Sequence, residues 1–182
     1  VTRRQINPQF PSSVKEVLPY VAHRDIWVPR DPESPDEPWE EQVRVCPYGK
    51  PGDRLWVRET FAVYGDEKFA AIHYRADRPH DVGRKGVGYK PSIHMPRWAC
   101  RILLEIIDVR VERLQDMTYE QAAAEGVQRD HRMWFATDEG GQAFKYPEQA
   151  FAQLWRQTGG DWGANPWVWV VEFKRLEVAD AR

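Results

Sequence analysis

The chain has few cysteines, no long apolar run and almost no net charge. Two Cys in 182 residues, Cys46 and Cys100, are too few for a disulfide framework and form no CxxC pair. No stretch approaches the roughly 18 apolar residues of a membrane helix, and no signal-peptide pattern is visible. We therefore expect a cytoplasmic protein without a membrane partner. The five His (His23, His73, His80, His94, His131) are scattered, with no HxH, HExxH or zinc-type spacing. No metal and no cofactor is expected. Walker-A, Rossmann and GxSxG patterns are also missing. The run Gly83-Arg84-Lys85-Gly86-Val87-Gly88 is glycine-rich but follows no clear strand, so it reads as loop. A net charge of −2, from 26 basic and 28 acidic residues, argues on its face against a nucleic-acid partner.

What is present is uneven charge and abundant indole. Residues 25–41 hold seven acidic residues, one basic residue and four Pro. Proline removes backbone donors and fixes φ, so this is expected to be a loop or extended insertion. Residues 75–101 reverse the balance, with seven basic and two acidic residues. Without the acidic segment the remaining chain has a balance of +4, so near-neutrality no longer counts against a nucleotide or nucleic-acid partner. The expected organisation is one domain over 1–182, with an acidic Pro-rich insertion at 25–47, a basic Gly-containing loop at 76–92 and an insertion at 128–146.

Ordered elements lie between these insertions. The turn Lys50-Pro51-Gly52-Asp53 feeds a β-branched and aromatic run over 54–63, read as a strand, with 71–75 as its partner. Residues 98–113 form a second strand-like run, long enough to need a bulge or bend. Thr118 is placed to cap a short helix that Gly126 stops. Pro147 suits the first turn of a second helix, whose apolar face is Phe151, Leu154 and Trp155. Residues 167–176 read as a closing strand, with Trp167, Trp169, Val171 and Phe173 on one face. Strands with interposed helices and no βαβ repeat imply an α+β fold built on a small mixed or antiparallel barrel.

The ordered set of segments resembles the ASCH domain, a branch of the PUA-like superfamily, and within it a phage and prophage group. Val1-Thr2-Arg3-Arg4 is similar to the tail of the family motif GxKxxTxR. Residues 50–59 (KPGDRLWVRE), 116–127 and 167–173 (WVWVVEF) resemble the family's next strand, following helix and closing strand. The segments 90–98 (KPSIHMPRW) and Asn165-Pro166-Trp167 are similar to ones in the phage group. The resemblance implies a PUA-like β-barrel with two or three flanking helices and long loop insertions. It also implies a bacterial or phage-infected cytoplasm. The implied partner is a nucleoside, a nucleotide or single-stranded RNA or DNA. One bacterial branch hydrolyses N4-acetylcytidine with a Lys, a Thr and a Glu. Thr2 matches that Thr and Glu125 that Glu, while the Lys would fall just before Val1.

The candidate residues follow from their chemistry. Glu125 is expected near a helix C-terminus, where the macrodipole disfavours a carboxylate by about 0.3–1 kcal/mol, which leaves room for another group to hold it. Its functional role would be general acid/base; its bland role, a solvated Glu before a Gly cap. Thr2 would be a nucleophile or positioning hydroxyl, yet no activating base is near it in sequence. Arg3, Arg4 and Arg58 are candidate phosphate or carbonyl clamps, and Glu59 sits beside Arg58 on the opposite strand face. His94, Arg97 and Trp98 could read a base by stacking and hydrogen bonds; the alternative for Trp98 is core packing. The remaining readings are a binding module without chemistry, or a phage interaction module that uses the acidic segment. Trp155, Trp162, Trp167 and Trp169 are expected mostly in core and barrel closure. Asn165 is expected to shape a turn.

Overall fold

The computed structural model describes residues 2–20, 23–30, 43–64, 71–78, 80, 88–137 and 141–176. In chain order the first strands are β1 (Thr2–Gln5), β2 (Glu16–Tyr20), β3 (His23–Arg30) and β4 (Arg44–Val45). Then come β5 (Arg54–Trp56), β6 (Phe61–Tyr64), β7 (Ala71–Tyr74) and β8 (Leu103–Arg113). Helix α1 (Tyr119–Ala123), strands β9 (Gln128–Asp130) and β10 (Met133–Phe135), helix α2 (Pro147–Gln157) and strand β11 (Trp167–Leu176) complete the series. The fold is mixed α+β, with mostly antiparallel strands and two α-helices among the described residues. No helix among them is long and apolar enough to cross a membrane.

The chain forms two compact units. The first comprises Val1–Gly52 with Ile106–Phe173, the second Asp53–Glu105 with Lys174–Arg182. The split also sorts charge. The first unit holds 13 basic and 19 acidic residues, the second 13 basic and 9 acidic.

In the first unit β11 sits between β1 and β8, with Thr2 opposite Val171 and Gln5 opposite Val168. That central place buries both faces of β11 from Trp167 to Val171. The core joins Val168 and Val170 to Leu114, Ala122, Trp134, Ala150 and Phe151. Helix α1 begins as expected. The Thr118 hydroxyl accepts from the Gln121 N–H, and the Gln121 side-chain oxygen accepts from the Thr118 N–H, a reciprocal capping box. Gly126, at φ 86°, ends the helical segment in the left-handed region glycine enters at little cost. Asn165 adopts φ 43°, and its Oδ1 accepts from the Gln115 N–H at 2.8 Å, which fixes the turn into β11.

In the second unit β5 pairs with the start of β8, Arg54 opposite Glu105 and Trp56 opposite Leu103. Strands β6 and β7 form a hairpin pair from Phe61–Tyr74 to Tyr64–Ala71. A small core of Phe61, Met95 and Ala99 lies against Ile72 and Tyr74.

Several boundaries differ from the sequence reading. The expected strand over 54–63 is two strands, β5 and β6, each with its own partner. The run over 98–113 becomes strand only at Leu103, because Pro96 leads a 3₁₀ turn, Arg97–Ala99. The expected insertion at 25–47 starts inside β3, which pairs with β2 and β4. Pro29 stands opposite Val17 there, since a proline in a strand forfeits only its own N–H bond. Positions 31–42 of that segment and 81–87 of the basic loop lie outside the described residues. The expected insertion at 128–146 contains the β9–β10 pair, and Trp134 bridges to Phe144.

Candidate functional site: an arginine and tryptophan pocket

In the second unit a cavity of about 270 Å³ is lined by Arg54, Trp56, Arg97, Trp98, Cys100, Arg101, Leu103 and Leu176. Two prolines shape its rim. Pro91 and Pro96 each precede a 3₁₀ turn, Ser92–His94 and Arg97–Ala99, and a fixed φ suits the entry to such a turn. Met95 and Ala99, 3% and 2% exposed, anchor the turns in the core. The positions between them face outward, leaving Ile93 69% and Trp98 66% exposed.

The cationic groups of the pocket differ in state. Arg101 is fully engaged. Its Nε and Nη2 donate to the two Glu59 oxygens at 2.8 and 2.7 Å, and Nη1 and Nη2 donate to Asp77 at 2.5 and 3.0 Å. Its guanidinium also lies 3.9 Å from the centre of the Tyr74 ring, and the Tyr74 hydroxyl donates to the Ala99 carbonyl at 2.6 Å. Its hydrogen bonds to Glu59, and then those to Asp77, push the Arg101 pKa further up. The bond from Arg101 holds the Asp77 carboxyl below its ordinary value. Arg97, by contrast, is exposed and has no ion-pair partner among the described residues. Arg58 stacks 4.6 Å from the Trp56 ring centre and donates to the Ile93 carbonyl at 3.3 Å, so it braces the rim and covers one indole face. Cys100 is half-buried, and its thiol donates to the Ile102 carbonyl at 3.2 Å.

The first unit brings together a different set. The Arg3 guanidinium is fully buried. It donates to Glu125 at 2.5 Å, to Gln121 at 3.1 Å and to Glu112 at 3.3 Å. The Gln121 oxygen thus serves the helix cap and Arg3 at once. Glu112 also accepts from Arg110, which bonds Asp108 and Glu172 as well. Burial pushes the Glu125 carboxyl above its ordinary value, with Arg3 opposing the shift. Arg3 is therefore the group that holds Glu125 against the helix dipole. Strand alternation places Thr2 and Arg4 on the face of β1 opposite Arg3; Thr2 is half-buried and Arg4 exposed.

Of the residues singled out in the sequence, Arg97 and Trp98 line the pocket, while Glu59 accepts from Arg101 and Arg58 stacks on Trp56 behind the lining. His94 is exposed in the neighbouring turn and is not part of the lining. The sequence reading missed Arg54, Trp56, Tyr74, Asp77 and Arg101. The one available signal was the alternation Arg54-Leu55-Trp56, which sends an arginine and an indole to the same strand face. Among the described residues no cluster of His, Cys, Asp and Glu is arranged to hold a metal ion. A second, more open cavity of about 540 Å³ lies in the first unit beside α2; its Lys145 and Arg156 are accompanied by Glu148.

Comparison with known proteins gives no match to a family model, to a curated protein or to a solved structure. Fold and site together define a mixed α+β protein with an arginine- and indole-lined pocket in its basic unit.

Proposed function

We propose that this chain binds a nucleobase-bearing ligand, a nucleoside, nucleotide or single-stranded nucleic acid, in the pocket of its second unit. The observation that carries the reading is Trp98, 66% exposed, beside Arg97, which has no ion-pair partner among the described residues, in one cavity. An indole face stacks on any base, worth about 1–3 kcal/mol per base, and a guanidinium fork matches phosphate oxygens. The net positive charge of the second unit favours the same partners. The PUA-like barrel implied by the sequence resemblance is part of this proposal.

Hydrolysis of an N4-acylated cytidine draws less support. The raised carboxyl of Glu125 suits a general acid. However, Glu125 is engaged by Arg3, and Thr2 lies on the other face of β1. The interaction-module reading rests on a segment largely outside the described residues.

Titration with a short labelled single strand tests the binding reading. Trp98→Ala should weaken binding by about 1–3 kcal/mol, and affinity should fall linearly with the logarithm of salt concentration. Trp98 is exposed, so the substitution spares the core. Unchanged affinity in Trp98→Ala, or salt-independent association, would overturn the proposal.

A further inference from the structure

We infer that the ligand is a single strand of nucleic acid held by two of its bases, one stacked on Trp98 at the cavity and another packed on Ile93. The inference rests on the base-binding reading above and narrows it from any base-bearing ligand to a strand.

The segment from Pro91 to Cys100 is one turn built twice. Pro91 and Pro96 lead the two 3₁₀ turns with similar backbones, φ −55° and ψ 147° at Pro91, φ −75° and ψ 154° at Pro96. In the first turn the His94 N–H donates to the Pro91 carbonyl and the Met95 N–H to the Ser92 carbonyl. In the second the Ala99 N–H donates to Pro96 and the Cys100 N–H to Arg97, and all four bonds measure 3.0 Å. Met95 and Cys100 then leave in the same extended conformation, with φ −67° and ψ 123° at Met95, φ −73° and ψ 124° at Cys100. Ile93 and Trp98 thus hold the same position in successive turns. They are also the two most exposed large apolar side chains among the described residues, at 69% and 66%.

A lone exposed isoleucine is ordinary on a protein surface. Its repetition by an indole at the equivalent position is not, and a repeated surface suits a ligand that repeats. The two positions belong to one piece of structure. Arg58 donates to the Ile93 carbonyl and stacks on Trp56, which lines the cavity together with Trp98. Bases pack on aliphatic as well as aromatic side chains. Arg97, between the two platforms in sequence, is exposed and lines the cavity, where its guanidinium can meet a phosphate that joins the bases. Five residues reach at most about 17 Å, and six nucleotides span that distance even at the stacked rise of about 3.4 Å. A free nucleotide, with one base, uses one platform only.

Anisotropy titration of the whole chain with two labelled hexanucleotides tests this. One carries six bases. The other carries a single base and is abasic elsewhere, so its backbone charge is unchanged. Ile93→Ser, at an exposed side chain, should weaken the intact hexamer about fivefold or more and leave the single-base hexamer unchanged. Trp98→Ala should weaken both. Equal effects of Ile93→Ser on the two strands, or no effect on either, would overturn the second platform while leaving base binding at Trp98 intact. Binding of neither strand, or a single-base hexamer indifferent to Trp98→Ala, would overturn base binding itself. Ribose and deoxyribose versions of both strands separate RNA from DNA: the expected pattern in one version alone names that nucleic acid, and in both it assigns a site indifferent to the sugar.

Discussion

Arg3→Met should lower the stability of the protein by about 3–5 kcal/mol, the cost of removing one partner from a buried ion pair. Arg3 has no exposed side-chain surface and Glu125 only 5%, so the carboxylate left behind would have little water to turn to. Gln121, half-buried and tied to the Thr118 cap, could not replace the charge. Urea denaturation at neutral pH reads this loss. The double variant Arg3→Met, Glu125→Leu should recover much of it, because paired apolar replacements of a buried ion pair are often neutral. A loss in Arg3→Met below about 1 kcal/mol would mean that the pair behaves as a surface contact.

The same variant carries a pH signature. Burial already lifts the Glu125 carboxyl above its ordinary value of 4.5, and Arg3 works against that lift. Without Arg3 the folded-state pKa rises further, while the unfolded value stays ordinary. Over the interval between those values the folded form holds a proton that the unfolded form lacks. Stability therefore increases as pH falls through the folded pKa, and is lost as pH rises through it. The penalty of Arg3→Met should accordingly be smaller near pH 5 than near pH 7. An equal penalty at both would show that another group carries the effect.

Phe151→Ala should cost a similar amount, about 3–5 kcal/mol, through the cavity left by a buried ring. Phe151 is 4% exposed and lies edge-on to Trp162 and tilted against Trp155, each at 6.2 Å between ring centres. It also joins the cluster that contains Ala122 of α1 and Val168 and Val170 of β11. Phe151→Leu keeps most of the volume and should cost less, about 1 kcal/mol. Thermal unfolding monitored by circular dichroism compares the two. Because α2 packs on α1, and α1 leads into Glu125, a cavity at Phe151 would also loosen the clasp around Arg3. The Phe151 and Arg3 effects should then fall short of additive.

Local signals in the sequence translated well into structure. Thr118, Gly126 and Pro147 mark helix ends through contacts within a few residues, and such contacts are readable in order along the chain. The strand over Trp167–Leu176 was likewise legible, although its two-sided burial depends on β1 and β8, neighbours far away in sequence. The candidate site was only half legible. Trp98 was visible as an aromatic in a basic stretch, but its exposure depends on Pro96 and Ala99 holding a 3₁₀ turn. The bond between Arg3 and Glu125 spans 122 positions, and no periodicity reports on such a pair. Glu59 stood out only as the neighbour of Arg58 and Asp77 not at all; only the fold sets both on Arg101. The sorting of acidic and basic residues into two units was hidden for the same reason, since each unit draws on separated stretches of chain.

The two thiols of the chain have a practical consequence for measuring occupancy. Cys46 is 5% exposed, and burial pushes its pKa up, so its reactive thiolate is scarce. Cys100 lies in the pocket wall and is only half-buried. An alkylating reagent should therefore modify Cys100 well before Cys46, and a bound ligand should slow that first reaction. The native chain thus carries its own chemical footprint of the cavity, readable by mass spectrometry without an added label.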